Sequence, residues 1–225
     1  QPDIVADGVN VLSTSSAGAE SYATLNGTSM AAPSVTGSLA VLQQYYRQIE
    51  DTFMTSATLK SLVIHTAREA GSNPGPDVKF GWGVLNVLDA YKVIEGKNAS
   101  DTLIINEVLT DGNTYETELF SDGITPITAT LVWTDVPGTP GIPGTDALML
   151  KNDLDLRIID DEGNTSFPWV LDTNNPNKAV KGDNFRDNVE KIELTNPQPR
   201  RYTLRVTHKN SLVNSEQAFA LIITG

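Results

Sequence analysis

Ser29 lies in the run Leu-Asn-Gly-Thr-Ser-Met-Ala-Ala-Pro over residues 25–33, where a glycine turn feeds a long apolar stretch. Gly27 permits a sharp backbone approach, and with Thr28 it supports the serine that follows. A helix over 28–47 would direct its open N–H groups and positive dipole end at whatever sits beside the Ser29 hydroxyl. That arrangement suits an oxyanion, with the Ser29 N–H among the donors. Val35, Leu39, Leu42 and Tyr46 repeat at helical spacing, so the helix is expected to be internal from its start. Pro33 is expected in the first turn, where a missing N–H costs nothing. A second group of reactive side chains is acidic: Asp153 and Asp155 at a strand start, then Asp183, Asp187, Asn188 and Glu190 around a later one. Hard oxygen ligands of this kind are what calcium takes. The plainer alternative is a set of solvated strand ends that cap loop N–H groups. Residues 160–164, Asp-Asp-Glu-Gly-Asn, read as a hairpin turn.

A serine hydroxyl is a weak nucleophile until a base removes its proton, and that base must itself be oriented. The chain has two histidines. His65 falls mid-helix in Leu-Val-Ile-His-Thr-Ala at 62–67, which points to packing or hydrogen bonding. His208 closes a strand far downstream. The order Ser29 to His208 would suit an α/β-hydrolase, but that fold requires Gly-x-Ser-x-Gly and residue 31 is alanine.

Gly-Thr-Ser-Met-Ala-Ala-Pro at 27–33 resembles the nucleophile signature of the subtilisin-like serine proteases. Two flanks agree: Pro-Asp-Ile-Val at 2–5 looks like the family's strand lead-in, and Phe-Gly-Trp-Gly-Val-Leu-Asn at 80–86 like its closing turn before the last helix. One departure is Ala-Asp-Gly at 6–8, where the family has Ala-Pro-Gly. The resemblance covers roughly the first 95 residues and implies that Ser29 is a catalytic nucleophile. It also implies that the Asp-Thr/Ser-Gly and His-Gly-Thr motifs and an oxyanion asparagine belong upstream, since this chain contains none of them. The segments 152–156 and 183–190 resemble parts of the β-barrel domain that follows the catalytic domain in some secreted alkaline subtilases, with a looser likeness to the P domain of proprotein convertases.

With 225 residues, 39% hydrophobic, the chain is long enough for one large or two small cores. A formal net charge of −12 argues against nucleic acid or an anionic membrane as partner, and no cysteine means no disulfide or thiol chemistry. No apolar run is long enough to span a membrane. The start, Gln-Pro-Asp, reads as a cut within a longer chain. Up to residue 96, short strands at 3–5, 10–14 and 21–25 alternate with helices at 28–47, 57–67 and 87–94, the last capped by Asn86; this is the grammar of an α/β layer. A linker at 97–101 leads into an all-β part with strands expected at 103–109, 114–120, 127–134, 153–159, 169–171, 189–195, 201–207 and 218–224. Each should have one buried and one wet face, giving an antiparallel sandwich or jelly roll. Residues 137–144, with three prolines and three glycines, must be a loop. The sequons at Asn26, Asn98 and Asn164 are assigned no function.

The fold class expected is therefore the C-terminal part of an α/β subtilisin-like domain over 1–97, followed by an all-β sandwich over 98–225. The implied activity is hydrolysis of protein or peptide substrates through an acyl-enzyme on Ser29. No catalytic cofactor is expected, calcium would be structural, and the missing N-terminal part of the catalytic domain is the required partner. Secretion follows from the resemblance. The rival reading is a non-catalytic structural or binding module carrying a remnant protease segment.

Overall fold

In the computed structural model, residues 2–97, 101–140 and 147–225 are described, so most of the linker, the Asn98 sequon and half of the proline-rich loop lie outside them. The part up to residue 96 holds a hairpin and three helices. Strand β1 (Val11–Thr14) pairs antiparallel with β2 (Tyr22–Leu25), and helices α1 (Thr28–Glu50), α2 (Ser56–Thr66) and α3 (Val87–Gly96) follow. Thr55 caps α2 by accepting the Thr58 N–H at 3.1 Å, and Asn86 caps α3 by accepting that of Asp89 at 3.1 Å. The expected parallel layer is represented among the described residues by one parallel bridge, Val5 to Val84.

Two glycines explain how the flanking motifs meet. Gly81 (φ 60°) and Gly83 (φ 119°) adopt conformations open to glycine, and a Cβ on either would collide with the Pro2 or Arg68 carbonyl. The chain can therefore run 2–5 against 81–85, with Trp82 N–H donating to Asp3 O at 2.8 Å and Leu85 N–H to Val5 O at 2.9 Å.

All eight expected β strands form: β3 (Thr102–Thr110), β4 (Tyr115–Phe120), β5 (Ile127–Trp133), β6 (Asp153–Asp160), β8 (Trp169–Leu171), β10 (Val189–Leu194), β11 (Arg201–Lys209) and β12 (Glu216–Thr224). Two short ones accompany them, β7 (Thr165–Ser166) and β9 (Ala179–Lys181). They make two four-stranded antiparallel sheets, ordered β10-β5-β12-β3 and β4-β11-β6-β7, with β8 and β9 as a separate hairpin. Alternate residues from both sheets share one core: Ile127, Leu131 and Trp133 face Leu154, Leu156, Leu204 and Val206, all at most 1% exposed.

The expectation of one wet face per strand fails for β5 and β12. Helix α2 lies across their outer side, so Thr130, Val132, Ala220 and Ile222 are also buried. Leu62 packs with Leu42, Tyr46 and Ile94 on one flank of α2, while Ile64 packs with Trp82, Val132 and Ala220 on the other. A helix so enclosed cannot be amphipathic in the usual sense, and its polar residues find partners in the sheet: Ser61 Oγ donates to Thr130 O at 2.9 Å, and Lys191 Nζ from β10 reaches Ile64 O at 3.3 Å.

Candidate functional site

Ser29 is the second residue of α1, and the helix cap is Gly27 at φ 145° with no side-chain cap. Gly27 O accepts the Met30 and Ala31 N–H groups at 3.0 and 3.3 Å, which closes the first turn and leaves the N–H groups ahead of it pointing outward. The turn is clamped from the other side. Gly27 N–H donates to Gly8 O at 2.8 Å, Asn10 N–H donates to the Asn26 side chain, and a Cβ on Gly8 would come within 2.6 Å of Gly27 O. Asp7, which stands where the resembling family has proline, accepts the Val9 N–H at 3.0 Å and so holds the same bend by a hydrogen bond instead of a fixed φ.

Two expectations about this helix need correction. Its first half is exposed: Thr28, Ser29, Ala32, Pro33 and Ser34 all face solvent, and burial begins at Leu42, because α1 leans on α3 through its later turns only. Pro33 is also the sixth helical residue, not a first-turn one. It has no N–H to give the Ser29 carbonyl four residues back, so that carbonyl is released from the helical ladder beside the hydroxyl. The hydroxyls of Ser34, Thr36 and Ser38 bond back to the helix carbonyls of Met30, Ala32 and Ser34 at 3.1, 3.0 and 2.9 Å, whereas the Ser29 hydroxyl makes no hydrogen bond among the described residues.

Neither imidazole attends Ser29. His65 is buried between α2 and the sheet, its ring nitrogens each 3.0 Å from a hydroxyl, Thr130 Oγ1 and Thr224 Oγ1. Burial, with the Lys191 charge nearby, lowers its pKa to about 3, so it stays neutral. His208 Nε2 accepts the Gly112 N–H at 2.8 Å and its Nδ1 lies 2.7 Å from Asn210 O, which makes it a loop clasp at the end of β11.

The acidic residues divide into two groups. Asp153, Asp155, Asp183 and Glu190 converge, while Asp187 and Asn188 face elsewhere: Asn184 Nδ2 approaches Asp187 at 3.4 Å, and Asn188 Nδ2 donates to Trp133 O at 2.6 Å. The convergent four surround two cations that sequence reasoning missed. Lys209 Nζ lies 3.2 Å from Asp153, 3.2 Å from Asp155 and 2.8 Å from Asp183; Arg157 lies 2.9 Å from Asp155, 2.7 Å from Asp183 and 3.6 Å from Glu190. Strand periodicity offered one clue, since Asp153, Asp155 and Arg157 share a face of β6; the other partner, Lys209, is set opposite Asp153 only by the β6–β11 register. Burial raises the Asp153, Asp155 and Glu190 carboxyls. Burial would raise Asp183 too, but hydrogen bonds with Lys209, Asp155 and Arg157 outweigh it and hold that carboxyl at about 2.

The residues as arranged do not fit a calcium ion. Its positive charge is already supplied by Arg157 and Lys209, two of the six candidate ligands are turned away, and among the described residues no group of three or more acidic or imidazole side chains is disposed to hold a metal.

Residues 1–83 match the model of the subtilase family, so this segment, with Ser29 in it, is subtilase-related. Curated proteins that align with part of the chain include the following two. The Neisserial autotransporter lipoprotein NalP of Neisseria meningitidis serogroup B is 41% identical over 70 residues, 31% of this chain and 6% of that protein. An extracellular serine protease of Serratia marcescens is 41% identical over 69 residues, again 31% of this chain and 6% of the relative. The match thus spans a small fraction of either relative's length. Among solved structures, a periplasmic inhibitor of g-type lysozyme from Aeromonas hydrophila aligns with 57% of this chain and 89% of its own at 11% identity and a TM-score of 0.32, too low to define a shared fold.

Proposed function

We propose that residues 1–97 are the C-terminal part of the catalytic domain of a secreted subtilisin-like serine endopeptidase and that 98–225 form a β-sandwich domain of the same enzyme. Ser29 is its nucleophile: the hydroxyl attacks the scissile carbonyl of a protein or peptide substrate, and the Ser29 N–H helps hold the oxyanion. The observation that carries this reading is an uncapped, exposed helix start bearing a serine hydroxyl free of back-bonding, inside the segment that matches the family. The general base and its orienting carboxylate come from an upstream part of the enzyme, because His65 and His208 are both committed elsewhere. Exposed Val9, Leu12, Tyr22, Leu25 and Val41 are the apolar surface that such an upstream part would cover. This chain by itself is therefore inactive.

The test is a fluorophosphonate probe on the protein produced with its upstream coding region, followed by peptide mapping and a peptide-anilide assay. Ser29 takes the label, and Ser29→Ala lowers turnover by about 10⁶-fold, the order seen when the subtilisin nucleophile is removed. Ser34→Ala has little effect. Label on another serine, with activity kept in Ser29→Ala, overturns the assignment; turnover by the 225-residue chain alone that Ser29→Ala abolishes overturns the upstream base.

A further inference from the structure

Strand β3 ends its sheet, whose order is β10-β5-β12-β3, so one side of its nine residues has no neighbouring strand among the described residues. Every second residue aims its N–H and C=O at that open side, a ready template for another chain. We propose that this edge is a docking strip for an extended polypeptide segment, which sets a basic residue beside Glu107 and an aliphatic one, adjacent in its own sequence, over the cavity next to Val108.

Glu107 selects the partner. It stands directly opposite Phe219, which is buried between the sheets, so its carboxylate is on the core-side face of an edge strand. Tyr115 meets the Phe219 ring edge-on at 5.5 Å, and its phenol is raised by burial and then by the Glu107 charge. An inward-facing charge of this kind keeps an edge from pairing at random, because an added strand would bury it uncompensated. The edge of the other sheet shows what is missing. On β4, Glu116 meets Arg205 directly opposite at 2.6 Å and Glu118 meets Arg201 at 2.9 Å, whereas Glu107 has no ion pair among the described residues. A second copy of β3 could not supply the cation, since residues 102–110 contain no lysine or arginine and each chain carries a net charge of −12. On the other face of β3, Val108 stands opposite Ala218, and the two join Ala57 at the start of α2 in walling a cavity of about 350 Å³ that reaches the edge at 106–108. Side chains alternate along a strand, so one that pairs here must present its basic and aliphatic residues in adjacent positions.

The experiment titrates the full chain against fluorescein-labelled octapeptides of alternating threonine and valine, with a central threonine replaced by lysine, norleucine or glutamate, and reads fluorescence anisotropy. The readout requires no turnover, so it stands apart from the assignment of Ser29. Wild type binds the lysine peptide about fivefold more tightly than the norleucine one, the size of a favourable cross-strand charge pair. N-methylation along one edge of the lysine peptide abolishes binding and along the other spares it, because only one edge pairs with β3. Glu107→Gln levels the lysine and norleucine peptides, and Glu107→Lys reverses the preference towards glutamate. Absence of binding up to about 1 mM peptide overturns the proposal, as does binding that survives N-methylation of both edges. Indifference of wild type to the central residue overturns the role of Glu107 and the proposal with it. Self-association of the chain without peptide that Val108→Lys abolishes would assign the edge to a second copy and overturns it too.

Discussion

Helix α1 has 23 residues and buries two of them, Leu42 and Tyr46; helix α2 has 11 and buries seven. Both carry small and hydroxyl-bearing residues among aliphatic ones, so composition does not separate them. What separates them is cover. The β1–β2 hairpin and the outer side of α1 expose Leu12 at 67% and Val41 at 62%, while the two sheets close on Leu131 and Trp133 at 0% and recruit α2 as a lid over the outer side of β5 and β12. Ser29 therefore sits on the part of the molecule that supplies least of its own core. The part with the complete core carries the charged cluster.

The comparison is tested hardest at the centre of the closed region. Trp133→Ala empties a fully buried site and removes the indole N–H donated to Asn152 O at 2.9 Å, so chemical denaturation should show a loss of about 3–5 kcal/mol. A loss below about 1 kcal/mol would mean that the two sheets do not share the core described.

The lid can be tested through pH. His65 has an ordinary pKa near 6.5 when unfolded and about 3 when folded, so below pH 6.5 the unfolded chain binds a proton that the folded one refuses. The stability that the neutral ring supports is fully present above pH 6.5 and falls by roughly 1.4 kcal/mol per pH unit as pH drops towards 3. Glu190, Asp153 and Asp155, with raised pKa values, act in the opposite direction in part of that window. The measurable quantity is thus the difference in slope between wild type and His65→Gln. Equal slopes would place the ring in solvent and detach α2 from the sheet. The smallest effect belongs to the open region: Leu12→Ala should change stability of this chain by no more than about 0.5 kcal/mol, and a larger loss would show that the hairpin is covered after all.

Local signals placed the elements well because each rests on nearby residues. Asn86 was readable as a cap because its side chain bonds the N–H three positions on, and Asp160 as a turn residue because it accepts the Glu162 and Asn164 N–H groups at 3.0 and 2.8 Å. The Ser29 turn was legible for the same reason, glycine before a helix start being a local device. The enclosure of helix α2 was not, since its periodicity marks an apolar stripe and cannot show that Ser61 and His65 on another side are met by Thr130 and Thr224, about 65 and 160 residues away.

The sequence by itself determined the strands, the helices, the serine at an open helix start and the clustering of acids near 153–155 and 183–190, because strand alternation, capping and turn chemistry act over a few residues. Only the tertiary structure decided that α1 begins in solvent, that Pro33 frees the Ser29 carbonyl, and that α2 is enclosed. It also decided that the acids meet Lys209 and Arg157 where a metal was expected, because the β6–β11 register sets that lysine opposite Asp153 across more than fifty residues of chain.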